Sequence, residues 1–305
     1  MPECSVHGDN PCFGTRARFL NHASQGAPVT RAIPNVVSIA GIDPSGGAGV
    51  FADLKTFSAL GAYGCGVVAA LTAQNTCAVT GVHAPPTDFL ALQLDTLFAD
   101  VTIHAVKIGM LGTAGVVRTV ADRLAAASPP NVVLDPVMVA KSGDHLLARD
   151  AVSMLKEALL PQVFMLTPNL PEAGVLLDAR APESVKEMYR SAERLRGLLP
   201  LSSERWVLLK GGHLPGGELM DLLFNGDRMI ELPARRLETR NTHGTGCTLS
   251  SAVAALLPQR AAQMHPVEAA VRDARHYLLG AIAAAGRLSV GKGHGPVHHF
   301  HALWR

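Results

Sequence analysis

The chain predicts an α/β fold with a mainly parallel sheet and an antiparallel edge. Three observations carry this reading. Short β-branched apolar runs recur along the chain, longer amphipathic stretches separate them, and nearly every run ends in a cluster of glycine and polar residues. Strand and helix alternating in this way mean βαβ units and parallel strands. Parallel strands share one carboxyl edge, so the polar clusters converge there, in the crevice where open α/β sheets bind ligands.

The strands, in order, fall at 36–40, 66–71, 105–108, 132–134, 163–166 and 206–209. Each is short enough for a strand and most are rich in β-branched residues. Helical patterns occupy 51–60, 89–98, 116–126 and 185–199 between them. The rhythm then breaks. Residues 219–224, Asn225-Gly226 and 229–232 read as a hairpin, because Asn-Gly is the preferred two-residue turn. Antiparallel strands therefore finish one edge of the sheet. Helices at 245–257 and 266–285 close the chain. No internal repeat and no dividing linker appears, so residues 35–305 read as a single domain behind a loose N-terminal extension, 1–34.

Composition excludes several function classes. Of 305 residues, 48% are hydrophobic and 17% charged, which is a globular balance and not a disordered one. The formal net charge is +2 with acids and bases mixed, and no basic stripe carries interleaved aromatics, so nucleic-acid binding is disfavoured. Cys4, Cys12, Cys65, Cys77 and Cys247 form no CxxC and are odd in number, which fits neither a disulfide framework nor a zinc site and points to a reducing cytoplasm. No apolar run approaches the roughly 20 residues of a membrane helix. The first 30 residues lack the apolar core of a signal peptide.

Gly46-Gly47-Ala48-Gly49 lies between a strand and a helix. A Walker A loop fails for want of Gly-Lys-Ser/Thr. A dinucleotide fold fails because the next strand ends in Gln74, where an acid would hold the ribose. The glycines instead allow close approach of backbone to a small substrate, against the plainer reading of a tight turn. His243-Gly244-Thr245-Gly246-Cys247 opens a helix. Its backbone N–H groups and the positive end of the helix make an anion site suited to a phosphoryl group in transfer. A plain cap would explain Thr245 but not both glycines with His243 and Cys247. A thiol at a helix start is expected to have a lowered pKa, although free cysteine is also a common small core residue.

Asn169 and Glu172 stand astride Pro171, which suits a first helical turn. They read either as magnesium and nucleotide ligands or as a capping box. Lys210, at a strand end, can reach a phosphate, and Asp135 can order magnesium or the reacting hydroxyl. His294, His298, His299 and His301 crowd the C-terminus without an acid or cysteine to complete a metal site, so they read as packing or a solvated tail.

These motifs occur together and in order. Gly41-Ile42-Asp43-Pro44-Ser45 with the glycine run and Ala52-Asp53-Leu54-Lys55, Thr72-Ala73-Gln74-Asn75-Thr76, Lys107-Ile108-Gly109-Met110-Leu111, Thr167-Pro168-Asn169-Leu170-Pro171-Glu172-Ala173, Leu209-Lys210-Gly211-Gly212-His213 and 241–248 all belong to the set. From about Val36 onward the chain resembles the bacterial hydroxymethylpyrimidine/phosphomethylpyrimidine kinases of the ribokinase-like superfamily. The resemblance implies a three-layer α/β/α sandwich. It implies transfer of phosphate from ATP, with Mg2+, to 4-amino-5-hydroxymethyl-2-methylpyrimidine and then to its monophosphate, in thiamine biosynthesis. It assigns Gln74, Ala48, Met110, Val137 and Asp53 to the substrate, and Lys210, Asn169, Asp135 and Glu172 to ATP. Glu172 and Asp135 go to the metal, Gly244, Thr245, Gly246 and Cys247 to catalysis, and Lys141-Ser142-Gly143-Asp144 to a flap. It implies a cytoplasmic homodimer. Sugar kinases of the superfamily carry Asp at the place of Cys247, so the general base is left open. A pyridoxal kinase, or an enzyme that accepts both rings, is the rival reading. A nicotinamide-dependent oxidoreductase lacks its ribose acid, and a mere binding protein would not need Lys210, Asp135 and Glu172 together.

Overall fold

Parallel strands buried on both faces form the centre of the sheet. The computed structural model describes residues 32–138, 147–214, 216 and 218–304. The N-terminal 31 residues, and with them nearly all of the expected extension, lie outside this range, as does the expected flap at 141–144. Ile33–Arg305 form one compact unit.

The strands are β1 (Asn35–Ile42), β2 (Tyr63–Gln74), β3 (Val79–His83), β4 (Ala105–Ile108), β5 (Val132–Leu134), β6 (Met165–Leu166), β7 (Trp206–Leu209), β8 (Glu218–Phe224) and β9 (Met229–Arg235). They make one nine-stranded sheet in the order β3-β2-β1-β4-β5-β6-β7-β8-β9. Pairing is parallel from β2 to β7 and antiparallel beyond it on both sides. The single antiparallel edge expected from sequence is therefore one of two. The turn of the β8–β9 hairpin also differs from expectation. Phe224 pairs with Met229, so the loop has four residues, and Asn225 Oδ1 accepts the N–H groups of Asp227 and Arg228. The asparagine side chain does the turning that a tight Asn-Gly pair would otherwise do.

The helices are α1 (Gly49–Ala59), α2 (Thr87–Asp100), α3 (Ala114–Ala127), α4 (Arg149–Met154), α5 (Leu170–Leu176), α6 (Val185–Arg196), α7 (Thr245–Arg260) and α8 (Pro266–Ala283). Successive strand residues point to opposite faces, and this divides the core in two. Val37, Ile39, Val106, Ile108 and Leu134 pack with Leu94, Val117 and Leu124 of α2 and α3. Val36, Ala105, Val133, Met165 and Leu208 pack with Phe57 of α1, Val253 of α7 and Val271 of α8. Helices thus cover both faces, giving the three layers expected.

Strand β1 lies between β2 and β4, so the chain moves to one side of it and later returns to the other. The reversal opens the crevice at the carboxyl edge. There the Gly41 N–H donates to the Met110 carbonyl at 3.2 Å, tying the ends of β1 and β4 together.

The loops at the far edge hang on a buried guanidinium. Arg196, 6% exposed, donates to the carbonyls of Asn225 at 2.8 Å, Pro200 at 3.2 Å and Ser203 at 3.2 Å. Arg196→Met would orphan those carbonyls and should destabilise the chain by about 2–3 kcal/mol, read as a lower urea midpoint at unchanged slope.

Candidate active site

The carboxyl ends of the parallel strands and the start of α7 enclose a cavity of about 480 Å3. Its wall begins at Asp43, just after β1. One oxygen of the Asp43 carboxylate accepts the N–H and hydroxyl of Ser45, at 2.9 and 2.7 Å. The other accepts the N–H groups of Gly47 and Ala48, at 3.2 and 3.0 Å, and meets His243 Nε2 at 2.7 Å. Burial pushes this carboxyl up, but the hydrogen bonds from His243 and Ser45 outweigh it and hold it below its ordinary value. The aspartate thus fixes the glycine loop and attaches it to the residue before Gly244.

Close packing follows from that attachment. Gly244 caps α7 with φ +76, and a Cβ there would lie 1.7 Å from the Gly47 carbonyl oxygen. Only glycine satisfies both the left-handed backbone and the contact. A Cβ on Gly49, at φ +59, would lie 2.1 Å from the Gly41 carbonyl oxygen, so the other end of the glycine run is equally constrained.

Charged groups stand beside the start of α7. Lys210 Nζ donates to Asp135 Oδ1 at 2.7 Å, and the pair stands beside Gly246, where a Cβ would make an ordinary contact at 3.4 Å with Asp135 Oδ2 and Lys210 Nζ. Burial works against the Lys210 ammonium, but Asp135 and Glu172 raise its pKa above the ordinary value and keep it charged. Asn169 and Glu172 form the capping box of α5. Asn169 Oδ1 accepts the Glu172 N–H and Glu172 Oε2 accepts the Asn169 N–H, both at 2.8 Å. The capping reading holds, and both residues also line the cavity. Burial pushes Glu172 up to about 7, with Asp135 adding to the shift and Lys210 opposing it.

Of the substrate residues expected from sequence, Ala48, Gln74, Met110 and Val137 line the cavity, as do Gly244, Thr245, Gly246 and Cys247. Asp53 does not. It is fully buried beneath the site, between β1, β4 and α7, where it accepts Lys107, Ser38 and Ser251. Its place in the first turns of α1 turns it toward the core face of the sheet.

Cys247 also departs from expectation. Its thiol is pushed up to about 11 and not down. Burial is the main cause, and the Asp53 and Asp135 carboxylates add to it, against the pull of Lys107 and the Gly49 N–H. Helix-start stabilisation of a thiolate needs an exposed or electropositive setting, and two buried acids remove it. Sequence reasoning missed the Asp43–His243 pair. Its signal was available in Asp43-Pro44-Ser45, a turn whose side chain accepts the next N–H groups.

Of the C-terminal histidines, His298 and His299 are packing, whereas His294 is exposed. His298 and His299 are buried, and burial pushes His299 down to about 3 so that it stays neutral beside the Thr248 hydroxyl at 3.2 Å. No cluster of three or more metal-ligating side chains occurs among the described residues.

The family model for phosphomethylpyrimidine kinase matches residues 43–298. The hydroxymethylpyrimidine/phosphomethylpyrimidine kinase of Salmonella typhimurium is 52% identical over 270 residues, covering 88% of this chain and 98% of the relative. Among solved structures, the pyridoxal kinase of Staphylococcus aureus in complex with ADP has a TM-score of 0.79 at 30% identity, covering 90% of this chain and 96% of that one. The phosphomethylpyrimidine kinase of Clostridium difficile has a TM-score of 0.70 at 36% identity, covering 82% and 99%.

Gly244→Ala should keep the helical content and lose turnover by about 100-fold or more, because the anion loop can no longer seat on Gly47; circular dichroism and steady-state rates check this. Glu172→Gln separates charge from capping, since glutamine keeps the box. With a folded value of about 7 against an ordinary 4.5, Glu172 is protonated in both states below pH 4.5 and weakens folding progressively as pH rises to 7. The glutamine variant should therefore melt above the parent at pH 8, with the gap closing toward pH 4.5.

Proposed function

The chain belongs to the phosphomethylpyrimidine kinase family, and we propose that it phosphorylates 4-amino-5-hydroxymethyl-2-methylpyrimidine and then the monophosphate, with ATP as donor, for thiamine biosynthesis. The observation that carries the reading is one cavity that brings an anion-binding helix start and the Lys210–Asp135 pair together. The 52% identity to a kinase of that name supports the pyrimidine over pyridoxal, to whose kinase the identity is 30%. The latter likeness, at TM-score 0.79, reports a shared backbone, and substrate is read from the site and not from the fold.

Ala48, Met110 and Val137 give the ring apolar walls, and the Gln74 amide offers a donor and an acceptor to the aminopyrimidine edge. The hydroxymethyl group then faces the start of α7. The γ-phosphoryl moves from ATP to the hydroxyl oxygen, ADP leaves, and the hydroxyl proton passes to a base or to solvent. The N–H groups of Gly244 to Cys247 meet the charge spread over the phosphoryl oxygens, and Lys210, whose ammonium stands beside Gly246, adds positive charge there. Glu172 and Asp135 would hold a magnesium ion through their carboxylate oxygens, the hard donors that ion takes. That donor set is what the wall offers, and the ion would offset charge between the phosphates.

Among the described residues no helix is long and apolar enough to cross a membrane, which suits the cytoplasmic setting we assign. We also assign a homodimer, with the β2–β3 ribbon as the contact, where Leu71 and Val82 are 46% and 54% exposed.

Cys247 assists proton removal through its minor thiolate form, a strong base because the thiol is pushed up to about 11, and this distinguishes the two steps. The alcohol must lose a proton to attack, whereas the oxygen of the monophosphate is already ionised and needs only anion stabilisation. Cys247→Ala should therefore lower turnover of the alcohol by about 100-fold with little change in its KM, and lower turnover of the monophosphate much less. ADP release with each substrate, with mass analysis of products, checks it. Equal turnover of the alcohol by variant and parent would remove Cys247 from the chemistry, and turnover of pyridoxal alone would overturn the substrate.

A further inference from the structure

Asp53 and Lys107 are both fully buried, on the sheet face that otherwise packs apolar side chains against α7 and α8. Lys107 Nζ donates to both carboxylate oxygens, at 2.9 and 2.8 Å. Ser38, the register neighbour of Lys107 on β1, donates to Oδ2 at 2.6 Å. Ser251 donates to Oδ1 at 2.7 Å. Four elements, β1, α1, β4 and α7, thus meet on one carboxylate.

Ser251 is one turn beyond Cys247 on the same face of α7, so the tether holds the turn that carries the thiol. Space for the ammonium is provided by Gly109, where a Cβ would lie 2.8 Å from Nζ. After Asp53, the titratable groups facing Lys107 are Cys247 and Asp135. Lys210, Asp135, Asp53 and Lys107 are the charged groups around the thiol. Stability is a poor reason for such a pair. Replacing a buried ion pair by apolar groups of similar volume is often neutral or stabilising, because desolvation of the charges offsets their attraction.

We propose that Asp53 and Lys107 are positioning residues for phosphoryl transfer: through Ser251 they fix the first turns of α7, and with them Cys247 and the anion loop. The proposal rests on that loop being the transfer centre. Neither residue reaches the cavity, so they act through α7 and not on substrate.

Three variants of the full chain test it, with Cys247→Ala alongside. Ser251→Ala removes the tether and leaves the ion pair. It should lower kcat by about 10-fold or more with KM for both substrates within about 3-fold, and Ser251→Thr should restore kcat. The pH profile of iodoacetamide alkylation at Cys247, read by peptide mass spectrometry, should shift in Ser251→Ala and return in Ser251→Thr. A purely structural contact would change the melting temperature and leave that profile in place. The double variant D53L/K107M should melt near the parent and still lose kcat by about 10-fold or more. Parent kcat and parent alkylation in Ser251→Ala overturn the proposal, whatever the double variant does. If the double variant does not fold, Ser251→Ala and Ser251→Thr decide alone. If Cys247→Ala turns over like the parent, the transfer-centre reading fails first. If it is impaired while Ser251→Ala and a folded double variant are not, only the positioning proposal fails.

Discussion

The carboxylate of Asp43 holds together two loops 200 residues apart in the chain. Its oxygens accept three backbone N–H groups of the loop after β1 and also take His243, which precedes the anion loop. Without that link the Gly47 carbonyl could not seat against Gly244, and the cavity would lack one wall. The link is local in chemistry but long in sequence, and a carboxylate held below its ordinary pKa supports it at neutral pH. The position of the site therefore follows from topology, and its closure follows from one side chain.

Charge is the recurring cost of this architecture. Glu172 is buried beside Asp135, the half-buried Cys247 stands near two acids, and Lys107 is buried with no exposure. None of these arrangements is favourable for folding alone. They are tolerable because each charge faces another and because the apolar layers on both faces of the sheet are extensive. Strain of this kind gathers where phosphate chemistry needs preorganised groups in a dry setting.

Much of the fold was legible in sequence, and the failures have physical causes. The six core strands and the long helices announce themselves because a buried parallel strand must be almost wholly apolar. Strand β3 did not. Four of its five residues are exposed, so no burial pattern marks it. Helix α5 is seven residues long, too short for a period to show, and only its capping box was visible. Within the site, Ala48, Gln74, Met110, Val137, Asp135, Asn169, Glu172, Lys210 and the loop from Gly244 to Cys247 reach one cavity, as their positions at strand ends and a helix start suggested. Asp53 and Cys247 were misjudged for a shared reason. Direction of a side chain on α1 and depth of a thiol below the surface are tertiary facts, and no spacing rule encodes them.

The histidine-rich close of the chain shows how a motif can belong to a site without touching its chemistry. The His294 N–H donates to the Thr76 carbonyl, and the Gly293 N–H donates to the Thr76 hydroxyl, just past the end of β2. The Gly295 carbonyl accepts the His243 N–H, just before the anion loop. One segment thereby spans the strand that presents Gln74 and the loop that presents Gly244. Its glycines are required by closeness, since a Cβ on Gly293 would lie 2.1 Å from the Thr76 carbonyl oxygen. The histidines that follow pack it down, with the Tyr277 hydroxyl donating to the His299 carbonyl at 2.8 Å. Asp43 and this strap thus hold His243 from two sides, one through its ring and one through its backbone. The loop from Gly244 is thus fixed in advance, so in the transfer we propose its N–H groups would need little rearrangement.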